Sequence, residues 1–434
     1  MLPQRAPHAN RDAETALSFL ERALAGCHPR DFAVRLWNGA VLRPEEGYGA
    51  RFTMVLNHPG ALRRMFLRPN QVTLGEAFIR KDYDIEGDLV AAITLGDYLL
   101  GLRWSLIDRL RLGRYLLTLP AAGPAAPGRG AARLTGAMHS KRRDSQAVAF
   151  HYNVSNDFYR LWLDERMVYS CAYFASPDDS LDAAQERKLD YICRKLRLKQ
   201  GERLLDIGCG WGGLLLHAAR NYGVEAHGIT LSAPQAELAG ERIRAAGLAD
   251  RCRAEVKDYR DMDGAESYDK IVSVGMFEHV GEARLADYFA RAFRLLRPGG
   301  VFLNHGIAAG LGYSAHDGPT FIDVYVFPDG ELLPICVTLR AAEANGFEVR
   351  DLESLREHYA LTLRHWMKRL RAAAPAAIAA IGETTFRIWL LYLAGSAHGF
   401  DRGRVNLYQT LLVKPDRGKS GQPLTRADWY PGTR

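Results

Sequence analysis

Residues 204–213 read LLDIGCGWGG, an apolar strand end, an aspartate and four glycines crowded into the turn that follows. No other stretch restricts the fold of this chain so strongly. Glycines tolerate positive φ and let a backbone approach a ligand closely. Behind the turn, GLLLHAARNY has the spacing of a helix. The alternation continues with VEAHGITLS as a strand and PQAELAGERIRAAGL as a helix carrying Pro in its first turn. CRAEVKDY and YDKIVSVGMF read as strands, RLADYFARAFRLLRPGG as a helix closed by glycine, and VFLNHGI as a further strand. A helix, AAQERKLDYICRKLRL, precedes the set. Strand–helix alternation predicts an α/β fold with a parallel sheet covered on both faces, and ligands in such sheets lie beyond the carboxyl ends of the strands.

The turn also selects a ligand. Gly208, Gly210, Gly212 and Gly213 would form a cradle at a helix start, where free N–H groups and the positive dipole end attract a carboxylate. Asp206, at the strand tip, can meet an ammonium group. A ligand with both charges carries an amino-acid group, which points to S-adenosylmethionine. A nicotinamide dinucleotide is the competing reading, but the second strand ends in Thr230 and not in an acid for the ribose. Asp258, in EVKDY, is placed to receive the adenine amino group.

The N-terminal part has a different texture. Residues 15–26 read as a helix, FAVRLWNGAVLRPEE and ARFTMVLNHPGALRRMFL as strands with turns, and residues 72–99 as mixed helix and turn. No catalytic cluster precedes about residue 120. LLGLRWSLIDRLRLGRYLLTL (99–119) is apolar with Arg103, Arg109, Arg111 and Arg114 along it. Such a basic amphipathic helix suits a membrane interface, or packs on its own domain. PAAGPAAPGRGAARLTGAMHSKRRDSQ (120–146) has the composition of a linker or mobile arm. The expected organisation is a docking domain over 1–119, a basic linker over 120–146, a catalytic domain over 147–416 and a tail over 417–434.

The formal charge of +7 and pI of about 9.0 suit nucleic acid, an anionic membrane surface, or an Arg-rich soluble surface. No apolar run approaches the roughly 20 residues of a membrane span. MLPQRAPHANRDAETALSFL lacks a signal peptide's apolar stretch, so a cytoplasmic protein is expected. The six cysteines contain no C-x-x-C pair, so neither a metal site nor a disulfide framework is expected.

YSCAYF (169–174), LLDIGCGWGG, GITLSAPQ (228–235), SVGMFEHVG (273–281) and LNHGI (303–307) occur in order. From about 150 to 415 the chain resembles the cyclopropane fatty acid synthase family, which includes the bacterial phospholipid enzymes and the mycolic acid cyclopropane synthases. The resemblance implies a Rossmann-like class I S-adenosylmethionine-dependent methyltransferase domain, with a smaller mixed α+β domain before it. The implied reaction moves the methyl group of S-adenosylmethionine to a cis double bond of a membrane phospholipid acyl chain. A carbocation forms, and bound bicarbonate removes a proton as the ring closes.

Carried across by motif, the bicarbonate cage would be the backbone of Cys171 and Ile307 with the side chains of Glu278, His305 and Tyr359. The residue types suit this: His305 and Tyr359 donate hydrogen bonds, and Glu278 can accept the acidic hydrogen of bicarbonate. Tyr359, in HYALTLRHW, would reach the site from a helix acting as a lid. Cys171 is expected to act through its backbone and not as a nucleophile. The expected cofactor contacts are Tyr169, Ser170, Asp206, Gly208, Gly210, Gly212, Thr230, Leu231, Gln235 and Asp258. Aromatics of HYNVSNDFYRLWL (151–163) would line an acyl channel or lid, and Trp389, Tyr392 and Phe400 would fill the core or an acyl pocket. Ser396 stands where the family often carries a cysteine, a departure consistent with carbocation chemistry that needs no thiol.

The expected partners are an unsaturated phospholipid and an anionic membrane surface, without nucleic acid. The expected location is the inner face of the cell membrane, with a homodimer allowed by the resemblance. Deleting residues 1–120 is expected to weaken vesicle binding and spare S-adenosylmethionine binding. A methylene- or methyl-branched product, a soluble heteroatom substrate, and non-catalytic lipid binding are the alternatives.

Overall fold

Two compact units make up the computed structural model, which describes residues 6–121, 123, 130–152, 154–312 and 319–430. The first unit takes Met1–Ala131 together with Ala315–Val326 and Gly382–His398. Its sheet has the order β2-β1-β3-β4, with β1 Phe32–Arg35, β2 Val41–Leu42, β3 Phe52–Leu56 and β4 Tyr83–Gly87. ALRRMF, read above as part of a strand stretch, is the helix Ala61–Phe66. Polar residues start the next helices. Asn70 and Thr73 form a reciprocal capping box before Gln71–Ile79, and Asp88 accepts two N–H groups at the head of Leu89–Gly101.

The continuous helix expected over 99–119 is two helices. Leu89–Gly101 ends, and Ser105 restarts the chain by accepting the Asp108 N–H, giving Leu106–Thr118. Buried Leu112 and Leu116 hold this second helix on its unit. The late segment Gly382–His398 is bolted to the same unit by Arg387, which donates to Phe78 O at 2.7 Å and Tyr83 O at 3.0 Å. It also pairs with Asp84 at 2.6 Å. The expected catalytic stretch 147–416 is therefore discontinuous, because two of its segments find their core partners in the N-terminal unit.

The second unit carries a seven-stranded sheet of order β10-β11-β9-β8-β5-β6-β7. Its strands are β5 Arg203–Ile207, β6 Glu225–Thr230, β7 Cys252–Val256, β8 Tyr268–Val274, β9 Leu296–Ala309, β10 Glu348–Ser354 and β11 Val405–Val413. β5 to β9 pair in parallel, as the alternation predicts. β10 and β11 extend the sheet antiparallel past β9. Successive residues face opposite sides of a sheet. Leu204, Val272, Leu303 and Leu411 accordingly enter one apolar cluster, while Leu205, Ile271, Phe302 and Leu412 enter the other.

The stretch expected to be a linker or mobile arm and the stretch expected to be a tail both carry docked residues. Residues 122 and 124–129 of the 120–146 stretch lie outside the described residues. Its end begins the helix Lys141–Tyr152, tied to the second unit by ion pairs of Lys141 with Asp261, Arg143 with Asp329 and Asp144 with Arg260. Basic composition suggested a solvated arm, but each of these charges finds a partner. In the 417–434 segment, Trp429 is 2% exposed, and Asp428 pairs with Arg197 at 2.6 Å. Among the described residues no helix is long and apolar enough to cross a membrane.

Candidate active site

The chain runs outward from β5 through β6 to β7, then returns to β8 on the other side of β5. That reversal opens a crevice at the carboxyl ends of β5 and β8. A cavity lies there, entirely within the second unit, and Tyr169, Ser170, Asp206, Gly208, Gly210, Thr230, Leu231, Gln235 and Asp258 all line it. Strand register explains the convergence: Asp206 nears the end of β5, Thr230 ends β6, and Asp258 follows β7.

Gly208 has φ of +90°, and a Cβ there would lie 2.8 Å from Met276 Cβ. Gly212 does not line the cavity. It opens the helix Gly213–Tyr222 at φ +79°, and a Cβ would come within 3.2 Å of Ala239. Its glycine thus serves chain direction and packing. Gln235 Oε1 accepts from Thr230 Oγ1 at 2.8 Å, which presents its amide nitrogen as the free end. Asp258 is engaged: it caps the turn Tyr259–Asp261 and pairs with Arg260 at 2.6 Å. Its remaining lone pairs are what an adenine amino group could use.

Asp206 is 2% exposed, its Oδ1 has no hydrogen-bond partner, and burial pushes its pKa up to about 7. A carboxyl kept dry and unpaired at a strand tip is prepared for a cation. Tyr169 contacts His151 Nε2 through its hydroxyl at 3.2 Å and sits among Trp162, Trp366 and Tyr159. Phe158, Tyr159 and Trp162 are fully buried and form core; Tyr152 from the same stretch lines the cavity.

None of the five cage residues lines the cavity, but two of them, Glu278 and Cys171, neighbour its lining along the chain. Glu278 sits between Met276 and His279, which line the cavity, and Cys171 follows Ser170. Glu278 Oε1 accepts the Ile307 N–H at 2.8 Å, whereas its buried Oε2 has no partner. Burial raises its pKa to about 7. His305 is fully buried, and burial holds its pKa well below the ordinary range, so the ring is neutral. Gln409 Nε2 donates to His305 Nδ1 at 3.2 Å, leaving the proton on Nε2, which is also unpartnered. The Ile307 N–H, expected to face a bound anion, is instead occupied by Glu278. Cys171 is fully buried, with its Sγ–H directed at Ala172 O and its thiol pKa raised by burial. Tyr359 is 8% exposed in the helix Arg356–Ala372, against Trp366 and Phe400. That helix is bound to the Cys171 segment, since Thr362 Oγ1 accepts the Ala172 N–H at 3.0 Å and His358 Nδ1 accepts the Phe174 N–H at 3.0 Å. Trp389 and Tyr392 are buried in the first unit.

The family profile described as mycolic acid cyclopropane synthetase matches residues 139–410. This chain belongs to that family. A probable fatty acid methyltransferase of Pseudomonas putida is 42% identical over 421 residues, covering 95% of this chain and 100% of its own. The cyclopropane-fatty-acyl-phospholipid synthase of Escherichia coli is 38% identical over 64% of this chain and 70% of its own. The mycolic acid cyclopropane synthase CmaA1 complexed with SAH and CTAB superposes with TM-score 0.59 at 36% identity, over 62% of this chain and 97% of its own. The cyclopropane synthetase-family chain thus has the class I fold and is an S-adenosylmethionine-dependent methyltransferase.

Sequence reasoning missed several groups of this synthetase-family site. Lys188, Met276, His279 and Arg260 line the cavity. Met276 and His279 stood within the quoted SVGMFEHVG motif, so the signal was present. Lys188 lies in a helix whose apolar spacing gave no hint that its lysines, Lys188 and Lys195, face inward.

Proposed function

We propose that this enzyme transfers the methyl group of S-adenosylmethionine to the cis double bond of an unsaturated phospholipid acyl chain and closes a cyclopropane ring, with bicarbonate as base. The observation that carries this reading is the pair of unpartnered buried atoms, Glu278 Oε2 and His305 Nε2, joined through β9 by the Glu278–Ile307 bond. An alkene has no proton to lose before it attacks. The site therefore needs a positioned sulfonium, a dry cavity and a held anion rather than a side-chain base. Bicarbonate, when bound, would supply the negative charge that faces the cation and takes its proton. The residues fit that group: the His305 Nε2–H can donate to an anionic oxygen, and Glu278 can accept the acidic hydrogen. The Cys171 N–H, which donates to no protein group among the described residues, adds a second donor.

The double bond lies deep in the bilayer, so the enzyme must dock. Exposing roughly ten methylenes to water would cost about 8 kcal/mol at ~0.8 kcal/mol each. Leu106, Ile107, Leu110 and Leu117 are 78%, 61%, 76% and 63% exposed on the helix Leu106–Thr118. At about 100° per residue they share one face. Exposed Arg109, Arg111 and Arg114 lie on and beside that face. Apolar side chains rimmed by arginines are what an anionic lipid surface takes up. This reading places the protein at the inner face of the cell membrane.

The full-length resemblance to a probable fatty acid methyltransferase favours a second reading. There the carbocation first rearranges, a hydride shifting from the methyl-bearing carbon to the cationic one, and a proton then leaves the new methyl group, so a methylene-branched chain results, or a methyl-branched one after reduction. The test is incubation of the protein with unsaturated phospholipid vesicles, S-adenosylmethionine and bicarbonate, then mass spectrometry of the released fatty acids. Gain of one CH₂ with resistance to hydrogenation supports the ring. The same gain with a reducible double bond supports the branched product. Methylation confined to soluble amines or hydroxyls would overturn both.

A further inference from the structure

Gln185 and Lys188, three residues apart on the helix Leu181–Leu196, both turn inward. Gln185 is 0% and Lys188 is 1% exposed. Both hold Ser170. Gln185 Nε2 donates to Ser170 O at 2.8 Å, and Lys188 Nζ donates to Ser170 Oγ at 2.7 Å. Among the described residues this is the only hydrogen bond of the Lys188 ammonium. An ammonium only donates, so Ser170 Oγ is the acceptor and its own O–H is left to donate elsewhere. Ser170, Lys188 and Asp206 all line the cofactor cavity.

A buried cation with one neutral partner is expensive to keep. Here it shares a cavity wall with a buried carboxyl, Asp206, whose Oδ1 is also unpaired. Two opposite charges that face the same cavity without closing on each other form a matched receptor for a zwitterion. We propose that Lys188 is a positioning residue for the amino-acid end of the cofactor: it polarises and orients the Ser170 hydroxyl toward the carboxylate, while Asp206 takes the ammonium. The assignment rests on the S-adenosylmethionine reading of the cavity. Burial lowers the Lys188 pKa to about 8, so the ammonium form still prevails at neutral pH.

Two ligands separate this role from a structural one. S-adenosylhomocysteine carries the amino-acid group, and 5′-methylthioadenosine lacks it. Calorimetric titration of the full chain is expected to show Lys188→Met weakening S-adenosylhomocysteine at least tenfold and methylthioadenosine less than twofold. Ser170→Ala should show the same selectivity, and the double variant should be no worse than the more affected single. Lys188→Arg should recover part of the loss. Equal weakening of both ligands by Lys188→Met, or full retention of S-adenosylhomocysteine affinity, would overturn the proposal. If Lys188→Met does not fold, Ser170→Ala decides alone: unchanged discrimination between the two ligands overturns it. Wild-type protein that binds neither ligand would remove the cofactor reading and this inference with it.

Discussion

Asp206 illustrates how one residue couples burial to ligand choice. Its carboxyl is held near pKa 7 because the strand tip is dry, with Lys188 the opposing influence that lowers it. An ammonium placed against it would stabilise the carboxylate and pull the pKa down. Free protein near pH 6.5 holds a proton there in most molecules, and the bound form does not. Binding of S-adenosylhomocysteine should therefore release a proton at pH 6.5, with the release fading toward pH 8.5. Calorimetry in buffers of different ionisation enthalpy measures this directly, and Asp206→Asn should abolish the release. Glu278 gives a second prediction at this scale. Glu278→Gln keeps the shape but removes the negative charge, and its amide must replace the bond to Ile307 N–H. Turnover should fall roughly 10²- to 10³-fold, as for loss of one preorganised electrostatic group. S-adenosylhomocysteine affinity should stay within about twofold, because Glu278 does not line the cofactor cavity.

Elements carry the membrane and stability arguments. On Leu106–Thr118, Leu112 and Leu116 are buried while Leu106 and Leu110 are among the most exposed apolar side chains. A helix with two apolar faces, one packed and one free, has a partner to find. Replacing Leu106 and Leu110 by Asp removes two insertions worth about 1.5–3 kcal/mol each. Binding to anionic vesicles should fall by roughly 10²- to 10⁴-fold in a sedimentation assay, with unchanged melting temperature and S-adenosylhomocysteine affinity. Equal vesicle binding by the double variant would rule this face out. The C-terminal segment behaves differently. Trp429 is buried against Arg197 and Lys195, and Arg194 donates to its carbonyl. Trp429→Ala should cost about 3–5 kcal/mol and lower the melting temperature by roughly 10 °C, without altering cofactor contacts.

At the scale of the whole molecule, the chain crosses between its two units more than once. Phe321 and Tyr325 are 7% and 6% exposed within the first unit, Phe321 seated on Gly75 and Tyr325 bonded to Glu76 at 2.7 Å. Removing the N-terminal residues would strip both, along with Arg387, of their packing. The expectation that deletion of 1–120 spares cofactor binding is therefore replaced by its opposite. Such a truncation should be insoluble or lose S-adenosylhomocysteine binding, as size-exclusion chromatography and titration would show. Point changes on the exposed helix face are the sound way to separate docking from catalysis.

What the sequence determined by itself was local. The glycine turn, the alternation from β5 to β9 and the order of the short motifs are set by neighbours within a few residues, through backbone sterics and side-chain period. They were enough to give the sheet, its ligand edge, and nine of the ten expected cofactor residues along one cavity. The tertiary structure decided what depends on distant partners. Gly212 turned out to serve packing because Ala239 lies against it. The Ile307 N–H is satisfied by a carboxylate 29 positions away, and the basic arm and the tail are anchored by charges and rings elsewhere in the chain. Lys188 could not be read as internal, because a lysine in a helix faces water by default and only packing against the cavity wall reverses that. Long-range pairing leaves no periodic trace in sequence, and that is where the fold and the site stopped being legible.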